Sequence, residues 1–427
     1  MRVIHENVNM VLSHKILFFS IFLLVLPVDI MQVSDDQSGL PICLLLLPFG
    51  ILFFLKQNIV LDKFYFWLTF VLCLVSIIAV SILYNTFPFK SSLSLVYFLL
   101  PNLGYFLALG LVKNIGDFIM FLKITVLVAF VLSVSLFYSI FILNGGVVRT
   151  EGVLSGTFFG LKLSGAYGVH SLGAHYFILI NFIFFYLEIV KEKTKFMFCI
   201  SVFSILTLTY IIILSLSREL VLAIVLFYLI YFLIKYKPIK TFIVIGSLCL
   251  IVLVFGKGLI DTVVTAWEYK LYASSSSTSL NELSSGRLDL QELALTQIID
   301  NPLFSTGFNG YTLNHSSYKD YDNLEGWSTH VYLLTCLWKM GLLAFISYLL
   351  FWKNILKQMF QNDFSDCEII KKMLVLFVVN ILFVNLFWDA LLAPNIMALF
   401  SFFCGCFVSI KNSEKSINNP LDIINKT

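Results

Sequence analysis

The 427-residue chain is 59% hydrophobic and 16% aromatic, with only 12% charged residues and a formal net charge of +3, and its mean hydropathy is +0.93. This lies far outside soluble composition and reads as a polytopic membrane protein. Disorder, coiled coil and nucleic-acid binding drop out, and so small a net charge names no partner, so what matters is the side of the membrane on which each charge falls.

Apolar segments that approach or exceed the length needed for a hydrocarbon core of about 30 Å read at 16-33, 40-55, 64-84, 92-112, 118-143, 172-190, 196-217, 220-236, 240-257, 331-352, 373-390 and 393-410. The fold expected is all-α, with about twelve transmembrane helices and a large, partly helical external loop. The first span follows Arg2 and Lys15 and lacks a small-residue cleavage site, so it reads as retained. With the N-terminus inside, most of the 28 basic residues fall in the cytoplasm, among them Lys56, Lys113, Lys193, Lys237, Lys353 and Lys411. That bias places both termini inside. The organisation expected is helices 1-5 within 1-143, an external loop at 144-171, helices 6-9 within 172-257, a large external loop domain at 258-329, helices 10-12 within 330-410 and a cytoplasmic tail at 411-427.

The eight cysteines sit in or beside apolar runs and suggest no disulfide framework; Cys404 and Cys406 read as core residues. Within the large loop, a Ser/Thr-rich run over 274-286 reads as flexible linker. RLDLQELALTQIID then predicts an amphipathic helix, capped by Ser284 or Ser285, with Leu288, Leu295 and Ile298 near one face, stopped before Pro302. Gly307, Asn309 and Gly310 force turns, and an aromatic, polar stretch from Tyr311 to Trp327 leads to Ser328, Thr329 and His330 at the outer mouth of the tenth span.

Three arginines and one histidine on the outer side carry the chemistry. Arg149 opens RTEGVLSGTFFG and stands ten residues before Gly160, Arg218 lies in the tight hairpin LSLSREL, and Arg287 starts the loop helix. Each has a bland alternative, snorkelling or pairing with Glu151, Glu219 or Asp289. Guanidinium is always charged and presents a planar fork to phosphate oxygens, which suits a site that holds a diphosphate without metal. His330 offers an imidazole able to take a proton near neutral pH; capping a helix start is its bland reading. His175 reads as a packed or hydrogen-bonded core residue. Lys339, about 13 Å deeper than His330 at 1.5 Å per residue, needs a polar environment, for which Asp389 is the candidate counter-ion. Tyr311, Tyr318, Tyr321 and Trp327 suit either sugar stacking or interfacial anchoring.

SLSREL, SGRLDLQELALTQIIDNPLFSTGFNGY and STHVYLLTCLWKMGLLAF together resemble the O-antigen ligase and O-antigen polymerase superfamily over roughly residues 145-350. The shared pattern is an arginine, a helix, Asn-Pro, paired glycines and a histidine before a span ending near Gly341. The spacing from Arg149 to Gly160 is similar to a motif of Wzy-class polymerases. Val331 stands where the family commonly has asparagine after the histidine, and Ile298 where a second arginine-to-glycine motif would have glycine.

The resemblance implies a GT-C-like lipid-linked glycosyltransferase in the bacterial inner membrane, polymerising undecaprenyl-diphosphate-linked repeat units into O-antigen or related surface polysaccharide. It implies inversion at the anomeric carbon with no metal or other cofactor. His330, Arg287 and Arg218 would form the catalytic set, and Arg149, Gly160, Tyr311 and Trp327 would contact donor or glycan. The partners implied are the lipid-linked donor and acceptor and the bilayer, with a chain-length regulator as a further candidate. A ligase delivering the glycan to lipid A core is the nearest alternative, and a flippase or other transporter the alternative from a different class. Reporter fusions at Ser276 and Asn314 should be active only outside, and fusions at Lys193 and Lys371 only inside; a cytoplasmic Asn314 would remove the basis for external donor chemistry.

Overall fold

The computed structural model describes residues 16–28, 41–56, 59–84, 88–138, 157–158, 161–162, 169–190, 193–214, 217–236, 261, 264, 268, 287–308, 329–361, 368–387 and 389–417. In chain order these form α1 (Ile16–Val25), a 3-10 turn at Ile42–Leu45, α2 (Leu47–Lys56), α3 (Val60–Tyr84), α4 (Pro88–Leu99), a 3-10 turn at Leu100–Leu103, and α5 (Gly104–Leu111). After these come α6 (Ile115–Tyr138), β1 (Thr157–Phe158), β2 (Leu161–Lys162), α7 (Val169–Ile189), α8 (Lys195–Leu214) and α9 (Arg218–Lys235). The remainder is α10 (Arg287–Asp300), α11 (Tyr332–Met340), α12 (Leu342–Phe360), α13 (Glu368–Phe387), a 3-10 turn at Ala390–Leu392 and α14 (Pro394–Ile417).

Among the described residues, six helical stretches are long and apolar enough to cross a membrane by length and composition: Val60–Leu83, Ser91–Leu111, Ile115–Tyr138, Leu172–Ile189, Lys195–Ile213 and Ile370–Phe387. The protein is an all-α membrane protein, with a short antiparallel pairing of β1 with β2 among the described residues. A helix lies over each expected span except 240-257, which falls outside the described residues. The linker at 274-286 lies outside them as well.

The chain divides into two units. The first comprises Met1–Cys43, Ile115–Thr278 and Asp363–Val384. Here α7 is buried along most of its length, with Tyr176, Phe177, Phe182 and Phe185 inside. Phe182 meets Phe121 of α6 edge-on at 5.3 Å and Phe377 of α13 at 5.5 Å, the tilted arrangements that ring quadrupoles favour. His175 is fully buried, and its Nε2 lies 2.8 Å from the Val25 carbonyl. It is thus the core residue that its place in an apolar run suggests. Towards the other end of α7, the Glu188 carboxylate accepts from Tyr231 and Lys235 of α9.

The second unit comprises Leu44–Asn114, Ser279–Asn362 and Asn385–Thr427. Its α12 lies along α3, where Ser347 bonds Thr69 at 3.0 Å and the Tyr65 carbonyl at 3.2 Å. Near the start of α3 the buried Asp62 accepts from Tyr105 at 2.7 Å, from Gln358 at 3.0 and 3.1 Å and from Asn354. A carboxylate withdrawn from water needs this many donors. Cys404 and Cys406 of α14 are both fully buried, as core residues.

The tenth span departs from expectation. Instead of one helix over 331-352, α11 and α12 are separated at Gly341, whose φ is +77°. The break leaves the carbonyls of Trp338, Lys339 and Met340 without their helical partners, and in an apolar environment each must find another. The segment 301–308 supplies most of them: Thr306 donates to the Trp338 carbonyl from its N–H (3.2 Å) and Oγ1 (2.9 Å), and the Phe308 N–H donates to the Lys339 carbonyl (2.9 Å). Ser76 of α3 donates to the Met340 carbonyl at 3.0 Å, and the Leu342 N–H donates in turn to the Pro302 carbonyl at 2.9 Å. To make these bonds Ser305, Gly307 and Phe308 all take positive φ (48°, 52° and 64°), which is costly for a phenylalanine. Phe308 is buried against Phe98, at 5.6 Å between ring centres.

A Cβ placed on Gly341 would stand 2.2 Å from the Leu303 carbonyl oxygen, and the positive φ disfavours any side chain there. Gly341→Ala should therefore lower the thermal midpoint in detergent, with a loss of about 2 kcal/mol or more. Leu343→Ala, an exposed position two residues on, should leave the midpoint near that of the native protein; equal effects would contradict the role of the break.

Candidate functional site

The break anchors 301–308, and that segment anchors the helix before it. α10 begins at Arg287 and ends at Asp300, within a residue or two of where the capping serines and Pro302 predict. Its buried face differs from expectation. Leu290, Leu293 and Ala294 form a cluster with Trp338 of α11, with Ile298 packed at its edge, whereas Leu288 and Leu295 are exposed. The docking partner selects this face: Trp338 donates its indole N–H to Gln297 Oε1 at 2.8 Å, so a glutamine sits in the middle of the buried stripe and the apolar pattern alone misplaces it.

One turn into α10, Gln291 Nε2 donates to the Thr329 carbonyl at 3.2 Å. Thr329 is itself buried and held on three sides. Its N–H donates to Thr335 Oγ1 at 3.0 Å, its own Oγ1 lies 2.8 Å from Thr335 Oγ1, and the same Oγ1 bonds the Val331 backbone. Thr335 Oγ1 donates onward to Asp389 Oδ2 at 2.8 Å. His330, next in the chain, is half-buried and has a φ of +59°. A non-glycine residue is thus held in the left-handed region just before Val331, the N-cap of α11, with its neighbour Thr329 locked by side-chain bonds.

Arg287 is half-buried at the start of α10, and its Nη1 donates to the Phe387 carbonyl at the end of α13 at 3.1 Å. Phe387 precedes Asp389 by two residues. The Arg287 side chain and the His330 turn are thus tied to the same short stretch, one through the Phe387 carbonyl and the other through Thr335 and Asp389. Lys339 lies half-buried over the Trp338 ring, 5.9 Å from its centre, and within electrostatic reach of Asp389.

Arg218 belongs to the first unit, where it is the exposed first residue of α9, following the buried Ser217. Both described arginines therefore head their helices. A cation at the positive end of a helix macrodipole is disfavoured by about 0.3–1 kcal/mol, and the same placement concentrates positive potential suited to an anion. Arg149, Gly160, Tyr311 and Trp327 lie outside the described residues; Gly160 falls between β1 and β2 in sequence. Gln291, Gln297, Thr335 and the supporting role of Trp338 escape sequence reasoning, because their partners lie tens of residues away in sequence.

Residues 202–349 match the model of the O-antigen ligase family. That stretch contains α10, α11, Arg218, Arg287 and His330, and it supports placing this multi-pass membrane protein in the O-antigen ligase and polymerase superfamily, whose members act as glycosyltransferase-like membrane enzymes. No curated protein matches the chain.

If Thr335 and Asp389 act as one unit, a double-mutant cycle with Thr335→Val and Asp389→Asn should give a coupling free energy of about 0.5–3 kcal/mol in chemical denaturation. Strict additivity would show that the 2.8 Å contact contributes nothing of its own.

Proposed function

We propose that the protein joins undecaprenyl-diphosphate-linked oligosaccharide repeat units at the outer face of the bacterial inner membrane, as an inverting, metal-independent polymerase. The observation that carries this reading is the Gln291–Thr329 bond, which couples the helix headed by Arg287 to the strained turn bearing His330. An external enzyme has no nucleotide sugar to draw on, so the leaving group must arrive already attached, and a lipid diphosphate serves. His330 takes the proton of the acceptor hydroxyl as its oxygen bonds to the anomeric carbon. The bond from that carbon to the diphosphate oxygen breaks, and the departing negative charge falls to Arg287, with Arg218 as the second cation. Arg149 and Gly160 would position donor or glycan, and Tyr311 and Trp327 would stack on sugar rings.

The matched family's description as a ligase favours a second reading with the same donor and the same chemistry, in which lipid A core is the acceptor. The product left in a deletion strain separates the two. Loss of a polymerase leaves lipid A core carrying one repeat, whereas loss of a ligase leaves bare core and accumulated lipid-linked polymer.

The assigned roles are tested with purified enzyme and a defined lipid-diphosphate donor. Arg287→Lys keeps the charge and loses the planar fork, so turnover should fall severely while the protein still inserts and accumulates. His330→Ala should cost about a hundredfold or more in rate, the usual scale of positioned proton transfer. Near-native turnover by His330→Ala at neutral pH would reject the general-base role.

A further inference from the structure

α10 has three faces rather than two. At about 100° per residue, Leu290, Leu293, Ala294 and Gln297 occupy the face buried against α11. Asp289, Glu292, Thr296 and Asp300 form an exposed polar face. Between them Leu288, Leu295 and Ile299 line up as an exposed apolar stripe, with Ile299 at 76% the most exposed of the three. Leu303, also exposed, extends the line one turn beyond the helix end.

We infer that this stripe is seated in the acyl region of the outer leaflet, so that α10 is an interfacial helix with one face on protein, one on lipid and one in water. The inference rests on the membrane-spanning length of α3 and on the expectation that the span over 331-352, which contains α12, crosses as well, and it does not depend on the transfer reaction. Continuity of surface argues for lipid as the occupant. Leu303 lies directly at the Gly341 break, and beyond it the first turns of α12 expose Leu342, Leu343 and Ile346. α12 itself is about 28 Å long, close to the thickness of a hydrocarbon core. The stripe thus leads through Leu303 at the Gly341 break towards the exposed apolar side chains at the start of α12. Its narrowness argues the same way: a protein covering three apolar side chains in line would also cover Glu292 and Asp300, whereas a water–lipid boundary leaves those carboxylates hydrated.

Interfacial seating would also set the height of Arg287. The arginine heads the helix and points to the Phe387 carbonyl, so a helix lying at the boundary holds its guanidinium at the level of lipid headgroups. Were the helix lifted into water, the cluster around Trp338 would have to come apart with it.

The test is photocrosslinking of the full-length protein in liposomes of phosphatidylethanolamine and phosphatidylglycerol. p-Benzoylphenylalanine is placed singly at positions 288, 295 and 299 and, for comparison, at 289, 292 and 296, all exposed and all clear of the Trp338 cluster. Mass spectrometry should find phospholipid adducts several-fold more abundant at 288, 295 and 299. The pair 296 and 299, adjacent on the same helix, is decisive and is compared only in protein that elutes as the native species. Equal adduct yields at 296 and 299, or crosslinks from 299 to a second copy of the chain in place of lipid, would overturn the inference. The same experiment in native membranes adds one more opposing outcome, capture of another membrane protein by 295 and 299. Because no donor is present, the result stands apart from whether the enzyme polymerises.

Discussion

The placement of α10 and the turn at His330 follows from three carbonyl oxygens. A helix interrupted in buried, apolar surroundings exposes backbone acceptors that those surroundings cannot satisfy, at several kcal/mol for each one left alone. At Gly341 those acceptors belong to Trp338, Lys339 and Met340, and the chain answers them with Thr306, Phe308 and Ser76. Left-handed conformations at Ser305, Gly307 and Phe308 are the accompanying cost. They persist because fewer bonds would leave the break unsealed.

From that plug the rest is positioned by contact. Segment 301–308 fixes the end of α10, the Leu290, Leu293 and Trp338 cluster fixes its face, and Gln291 carries the constraint to Thr329 and the His330 turn. Residues 287–308 and the turn at 329–331 are thereby tied to α11 by packing and hydrogen bonds. For chemistry that depends on holding a diphosphate and a hydroxyl in register, such preorganisation is where catalytic advantage arises. Each unit, taken by itself, has a described arginine as the first residue of a helix, Arg218 in the first and Arg287 in the second. Sequence alone offers a nearby acid for each, Glu219 or Asp289, as the bland alternative to an anion site.

Much of this was legible before any coordinates. Long apolar runs located the helices, because twenty or so apolar residues have few other uses. Proline and serine set the limits of α10, and the apolar surroundings of His175, Cys404 and Cys406 marked them as core. The break was not legible: a single glycine within an apolar run is common in membrane helices, and nothing local says that a segment more than thirty residues upstream will fill the gap. Nor was the buried face of α10. Leu288 and Leu295 satisfy a helical period as well as Leu290 and Leu293 do, and only the position of Trp338 decides between them. The hydrogen-bonded chain from Gln291 through Thr329 and Thr335 to Asp389 is built of ordinary polar residues whose meaning exists only in three dimensions.

The central claim is that segment 301–308 seals the broken span and thereby carries the site. Amide hydrogen exchange of the intact protein in lipid nanodiscs reads this directly, since the N–H groups of Thr306, Phe308 and Leu342 are the donors concerned. The account predicts that these three exchange as slowly as amides in the middle of α12, and that Gly341→Ala accelerates all three together. Exchange of Thr306 and Phe308 at the rate of unstructured peptide, with α12 still protected, would contradict it.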